Sequence, residues 1–250
     1  MDIKDYIIYL KNKKIAYSTR ATYVAAISKF YAQNEITLNW KWIKSFMGEH
    51  EKVAEDREYT HDEIQTLLTN TDRRNKAIIL TMCSSGARLG TMPLLRLRDL
   101  TPIDQYGIYK LHFYAMSKKH HYYGYCTPEC RKAIDDYLEY RRRWNERLSE
   151  DSPLFRIDYN AINGMEKDSD RDRKDVIKPI SKHAIRNFMT VLLLHTGLRK
   201  IPTENHAKRL EVMMTHGCRK FFEKNAFKAG MDHMYIRRLM GQKRGFTRQK

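Results

Sequence analysis

Long apolar runs are missing from this 250-residue chain. No stretch approaches the roughly 18–20 residues a membrane-spanning helix needs. No basic segment followed by an apolar one opens the sequence, as a secretory leader would. Neither membrane insertion nor secretion is expected. Cysteine is scarce, with only Cys83, Cys126, Cys130 and Cys218. Few and scattered, they exclude a disulfide framework and fit a reducing compartment. Cys126-Thr-Pro-Glu-Cys130, with His120 and His121 just before it, has the residue types of a zinc site. Its spacing is loose, however, and Thr127-Pro128 reads as a helix start, so no metal is expected. No internal repeat, GxGxxG, P-loop, HExxH or GxSxG is present. No Asp/Glu pair has the spacing of a two-metal nuclease, and no strand resembles an aromatic RNA-binding motif.

Negative charge is also in short supply. Lys and Arg number 47 against 30 Asp and Glu, giving +17 and a pI near 9.7. Such an excess repels itself unless a polyanion offsets it, and nucleic acid is the first candidate partner. A generically basic surface is the plainer alternative. Hydrophobic residues at 42% and charged residues at 31% describe a globular protein of one large or two small domains.

Residues 1–47 read as three short helices. Ile3, Tyr6, Ile7 and Leu10 follow one helical face; Ser18 or Thr19 caps a second helix with Tyr23, Ile27, Phe30 and Tyr31. Asn39 precedes a third with Trp42, Ile43, Phe46 and Met47. Lys13, Lys14, Arg20, Lys41 and Lys44 decorate this unit as candidate phosphate contacts. Residues 48–57 leave almost nothing to bury and read as a linker.

Thr60-His61-Asp62-Glu63 is a capping-box sequence, so a second domain, 58–250, begins there. Ala77 to Met82 suits a buried helix, running into Ser85-Gly86-Ala87-Arg88-Leu89-Gly90. Arg88 is expected near the interior, where it needs an anionic partner. That partner is either a carboxylate such as Asp99 or a bound phosphate. Residues 107–115 and 121–126 look like two strands joined through Ser117-Lys118-Lys119-His120. Thr127 caps a helix that ends in Arg141-Arg142-Arg143, read as a basic DNA-facing cluster. Residues 149–178 read as an exposed loop. Ser181 caps a helix ended by Gly197. On the next helix His216 and Arg219 share one face, while Cys218, Phe221, Phe222 and Ala226 fall on another suited to a core. A last helix, ended by Gly241, leads into Gln242-Lys243-Arg244, whose two cations join the candidate DNA contacts.

Three blocks, in order, resemble the tyrosine recombinases, the phage-integrase family of site-specific DNA recombinases. The first runs from Tyr59-Thr60-x-x-Glu63 through Ser85-Gly86-Ala87-Arg88-Leu89-Gly90 to Asp99-Leu100. The second is His216-Gly-Cys-Arg219 with Phe221-Phe222 and Ala229-Gly230. The third is Ile236-x-x-Leu239-Met240-Gly241-Gln242. The likeness covers about 58–249, and residues 1–47 resemble the family's helical core-binding domain more weakly.

The implied fold is mainly α with a small antiparallel β-sheet, a helical DNA-binding domain preceding a mixed α/β catalytic domain. The resemblance implies that Arg88 and Arg219 clamp the scissile phosphate and that His216 transfers a proton. Lys118, or else Lys119, would protonate the leaving 5′-oxygen. Asp99 would support Arg88, or serve only as a cap. A tyrosine would attack to form a 3′-phosphotyrosyl link, so neither cofactor nor metal is implied. Two departures stand out. Gln242 occupies a position where the family has His or Trp, and no tyrosine follows Tyr235. The expectation is a shortened form without its nucleophile, monomeric and binding double-stranded DNA without cutting it. The full-length protein would self-associate on DNA, in a cytoplasmic, DNA-associated setting. A non-enzymatic DNA-binding protein on the same fold is the alternative.

Overall fold

The computed structural model describes residues 2–49, 57–157, 177–199 and 214–242. Lys243, Arg244 and most of the expected linker lie outside them. The chain divides into two compact units, Met1–Glu55 and Asp56–Lys250.

The first unit holds α1 (Ile3–Asn12), α2 (Tyr17–Gln33) and α3 (Trp40–Ser45). Asp2 opens α1 with a reciprocal capping box to Asp5, and the Asn39 side chain accepts from the Trp42 backbone N–H to start α3. Ile7, Val24, Ile43 and Met47 form the small core. Two expectations fail here. The α2 start is Ala16, without a side-chain cap, not Ser18 or Thr19. The helix also turns Val24 inward, while Tyr23, Phe30 and Trp42 of the anticipated core are exposed. Aromatic residues on nearly every side of α2 left its inner face undefined by periodicity.

In the second unit, the Thr60 side chain and Glu63 close the expected capping box at the head of α4 (His61–Thr69). Arg57 grips the same Glu63 carboxylate at 2.6 Å and holds its pKa below the usual carboxylate range. Replacing Thr60 by Ala removes one side of this box, and a loss of about 1 kcal/mol is expected in urea unfolding.

Asp72 caps α5 (Arg73–Ser85), which Gly86 ends in the left-handed region at φ 61°. α5 is the central helix, packed against α6 (Pro128–Arg143) and α8 (Met214–Lys228). Cys83 of α5 and Cys218 of α8 are both buried at that second contact. The neighbouring Cys218, together with burial, pushes the Cys83 thiol pKa up. α7 (Lys182–His195), capped by Ser181, buries Ile185, Met189, Leu192 and Leu193.

Strands β1 (Leu100–Ile103), β2 (Ile108–Phe113) and β3 (Tyr122–Tyr125) form an antiparallel sheet in that order, with Leu100 opposite Leu111 and Phe113 opposite Tyr122. β2 and β3 match the expected pair. β1 was not anticipated, because Pro102 argues against a strand. As an edge strand, β1 tolerates the missing N–H. Residues 149–157 are not an exposed loop throughout, because Leu154 and Phe155 are fully buried. The Leu154 N–H donates to Leu95 O, and the Ile180 N–H donates to Phe155 O. Two β-bridges, Arg96 to Pro153 and Arg156 to Pro179, hold this segment in place.

Candidate active site

Arg88 and Arg219 lie far apart in sequence, but their side chains converge. Arg219 sits on α8, 7% exposed, its fork spanning two helix ends. Nη1 donates to Gly86 O at 2.5 Å and Nη2 to Met240 O at 2.7 Å. Arg88 Nη1 donates to Gly241 O at 3.1 Å. Met240 and Gly241 close α9 (His233–Leu239), and Gly86 closes α5, so both guanidinium groups meet the end of α9 and Arg219 also meets the end of α5.

Glycine is required at both ends. A Cβ on Gly86 would lie 2.5 Å from Phe222 Cδ1, and one on Gly241 would lie 2.6 Å from the Tyr122 ring. The hydrogen bonds of both arginines go to neutral backbone carbonyls. Among the described residues neither Arg88 nor Arg219 forms an ion pair with a carboxylate. Burial, then the charge of Arg88, lowers the Arg219 pKa, while Tyr122 and Glu223 act in the opposite sense. A guanidinium stays protonated regardless. Two like charges held together with no ion-paired carboxylate among the described residues create a strong local demand for an anion.

Arg88 is exposed, a correction to its expected interior position. Gly86 ends α5 two residues before Arg88, and the buried arginine of the pair is Arg219. His216 precedes Arg219 by one turn of α8 and is exposed. The Tyr59 hydroxyl donates to Met214 O at 3.0 Å, fixing the first turn of that helix. Lys118 and Lys119 are exposed on the turn between β2 and β3, and β3 then begins at Tyr122, beside the arginine pair. Gln242 is half-buried, its backbone N–H bonded to Arg237 O. Asp99 is buried, and its carboxylate accepts from the Arg96 N–H at 2.8 Å. It acts as a turn cap, the other of its two expected roles.

The basic cluster at the end of α6 must be split. Arg141 is fully buried and cannot meet DNA. Its guanidinium bonds Glu146 Oε1 at 2.5 Å, Pro153 O at 2.7 Å and Leu154 O at 3.0 Å. Arg142 is exposed, and Arg143 is exposed but bonded to Glu139. Lys13, Lys14, Lys41 and Lys44 are exposed on the first unit, whereas Arg20 is half-buried over the Tyr17 ring. At the considered zinc stretch, Cys126 Sγ accepts from the Tyr109 N–H, and His121 faces His112 instead. Among the described residues no group of three or more His, Cys, Asp or Glu is arranged to hold a metal. None of the described helices is long and apolar enough to cross a membrane.

Neither a protein-family model nor a curated protein sequence matches the chain. Solved structures do. The XerA recombinase is similar over 96% of this chain and 73% of its own, at 18% identity and a TM-score of 0.53. The XerH site-specific recombinase, bound to palindromic difH substrate after cleavage, is similar over 97% of this chain at 14% identity and a TM-score of 0.67. The chain spans 66% of XerH's length there. The Tn1549 transposon integrase, in complex with transposon right-end DNA, is similar over 96% of this chain and 76% of its own, at 15% identity and a TM-score of 0.67. At such identities the likeness concerns the fold, and the fold is that of the tyrosine recombinases.

Proposed function

We propose that this chain grips duplex DNA as a site-specific recombinase or integrase does, with one backbone phosphate held between Arg88 and Arg219. The observation that carries the reading is their convergence on Gly86, Met240 and Gly241, with no ion-paired carboxylate on either among the described residues. Two guanidinium forks suit the two non-bridging oxygens of a phosphodiester and stabilise charge that grows there in the transition state. His216, one turn from Arg219, is the group for proton transfer at the attacking oxygen. Lys118 or Lys119, on the turn leading into β3, supplies the proton for the leaving oxygen. Gln242 donates a hydrogen bond but carries no proton for catalysis. Exposed Lys13, Lys14, Lys41 and Lys44 of the first unit, and Arg142 of the second, are further candidates for phosphate contacts.

Residues 1–250 contain no tyrosine after Tyr235, which is exposed on α9 ahead of Gly241. This polypeptide is therefore expected to bind DNA without attaching to it. Gln242 also supports a second reading, a DNA-binding protein that regulates or shapes DNA on this fold.

Fluorescence anisotropy on a mixed-sequence duplex tests the grip. Affinity should fall steeply with salt, and Arg219→Gln should weaken binding about tenfold and flatten the log–log salt slope by about one. Salt-insensitive binding, or an Arg219→Gln variant that binds as tightly as the parent, would remove the reading. A nicked duplex then tests the absence of chemistry. A protein–DNA adduct that survives denaturant would overturn that part alone.

A further inference from the structure

Tyr122, the first residue of β3, has no assigned role in the site described above, yet its phenol is buried within it. The residue is 7% exposed, and its hydroxyl is sealed from solvent without a well-formed hydrogen bond. Buried hydroxyls without partners are uncommon and costly, so each needs a reason. Its ring packs flat on Gly241, whose carbonyl receives Arg88. The groups acting on its oxygen are cationic or N–H donors. Burial raises its pKa, while the guanidinium charges of Arg219 and Arg88 and the Arg88 backbone N–H favour the ionised form. Tyr114, like burial, acts on it in the opposite sense. The phenol thus lies against the helix end that receives Arg88, where the charges of both guanidinium groups act on its oxygen.

We propose that Tyr122 is a positioning residue of the anion site: its neutral oxygen allows the Arg88 and Arg219 guanidinium groups to share one pocket without cancelling their charge. A carboxylate there would also bring them together, but it would neutralise the pocket and compete with phosphate. A phenol supplies only a dipole, so the pair keeps its full charge for a ligand. The Arg219 side chain and the Arg88 backbone N–H both act on this oxygen as donors, though neither makes a well-formed bond to it. The inference rests on the DNA-gripping reading and deepens it.

Tyr122→Phe removes one oxygen and keeps the ring on Gly241. If the hydroxyl were merely an unsatisfied buried group, its removal would leave melting temperature and DNA affinity unchanged or improved. The proposal expects an unchanged or raised melting temperature with duplex DNA bound several-fold, up to about tenfold, more weakly, the scale of one charge-assisted hydrogen bond. In an Arg219→Gln background, Tyr122→Phe should then cost nothing further, because its effect passes through that arginine. Unchanged affinity in Tyr122→Phe, or an equal loss with and without Arg219, would overturn the inference while leaving the DNA reading intact. Should Arg219→Gln itself bind normally, the DNA reading fails first and this inference fails with it.

Discussion

Replacing Arg141 by methionine is expected to destabilise the second unit by about 3–5 kcal/mol, the cost of breaking a buried ion pair from one side. The substitution leaves Glu146, whose side chain is 7% exposed, with Arg156 Nε 3.0 Å away as its one ion-pair partner among the described residues. It also strips the donor from the Pro153 and Leu154 carbonyls and takes a cation from above the Tyr137 ring, 5.6 Å from its centroid. Methionine fills much of the volume but satisfies none of these groups. Total stability of 5–15 kcal/mol is usual for a domain, so such a loss is visible in any urea titration. Arg142→Ala, one residue along and exposed, should stay within about 0.5 kcal/mol. At temperatures where both variants are folded, Arg141→Met should retain the parent's salt slope on DNA. A reduced slope without loss of stability would return Arg141 to the DNA-facing surface.

The second large effect is expected at Gly86. Alanine there meets a φ of 61°, which costs an L-residue about 1–2 kcal/mol. Its Cβ would also press on Phe222 at 2.5 Å and Met240 at 3.1 Å, adding about 1–3 kcal/mol of overpacking. Gly107→Ala separates the two costs. Gly107 has a similar φ of 63° with nothing within 4 Å of the added carbon, so only the backbone cost applies. Gly86→Ala should therefore unfold at lower urea than Gly107→Ala. It should also bind DNA more weakly when folded, because the Gly86 carbonyl seats Arg219. Equal stability of the two variants would mean that Phe222 and Met240 give way freely.

Much of this was legible in the residues. The capping box at Thr60, the hairpin strands and the helix carrying His216 and Arg219 were all readable from spacing and turn chemistry. The pairing of Arg88 with Arg219 was legible only through the family resemblance, since no local pattern relates positions so far apart. Arg141 was misread although a signal was present. Cys130, Ala133, Ile134, Tyr137 and Leu138 trace one apolar stripe, and Arg141 is its next step. Reading the three arginines as a charge run obscured the period that sets one of them inside. Tyr122 could not be singled out, because Tyr122-Tyr-Gly-Tyr offers no polar contrast to mark the face that turns inward.

The span of Arg219 from Gly86 to Met240 means that its position depends on two helix tails remaining side by side. A pull that peels α9 away would strip both Met240 and Gly241 from the arginines at once. The convergence of the two arginines is therefore conditional on the docking of that short helix, and whatever anchors α9 also governs how firmly the polypeptide holds a phosphate.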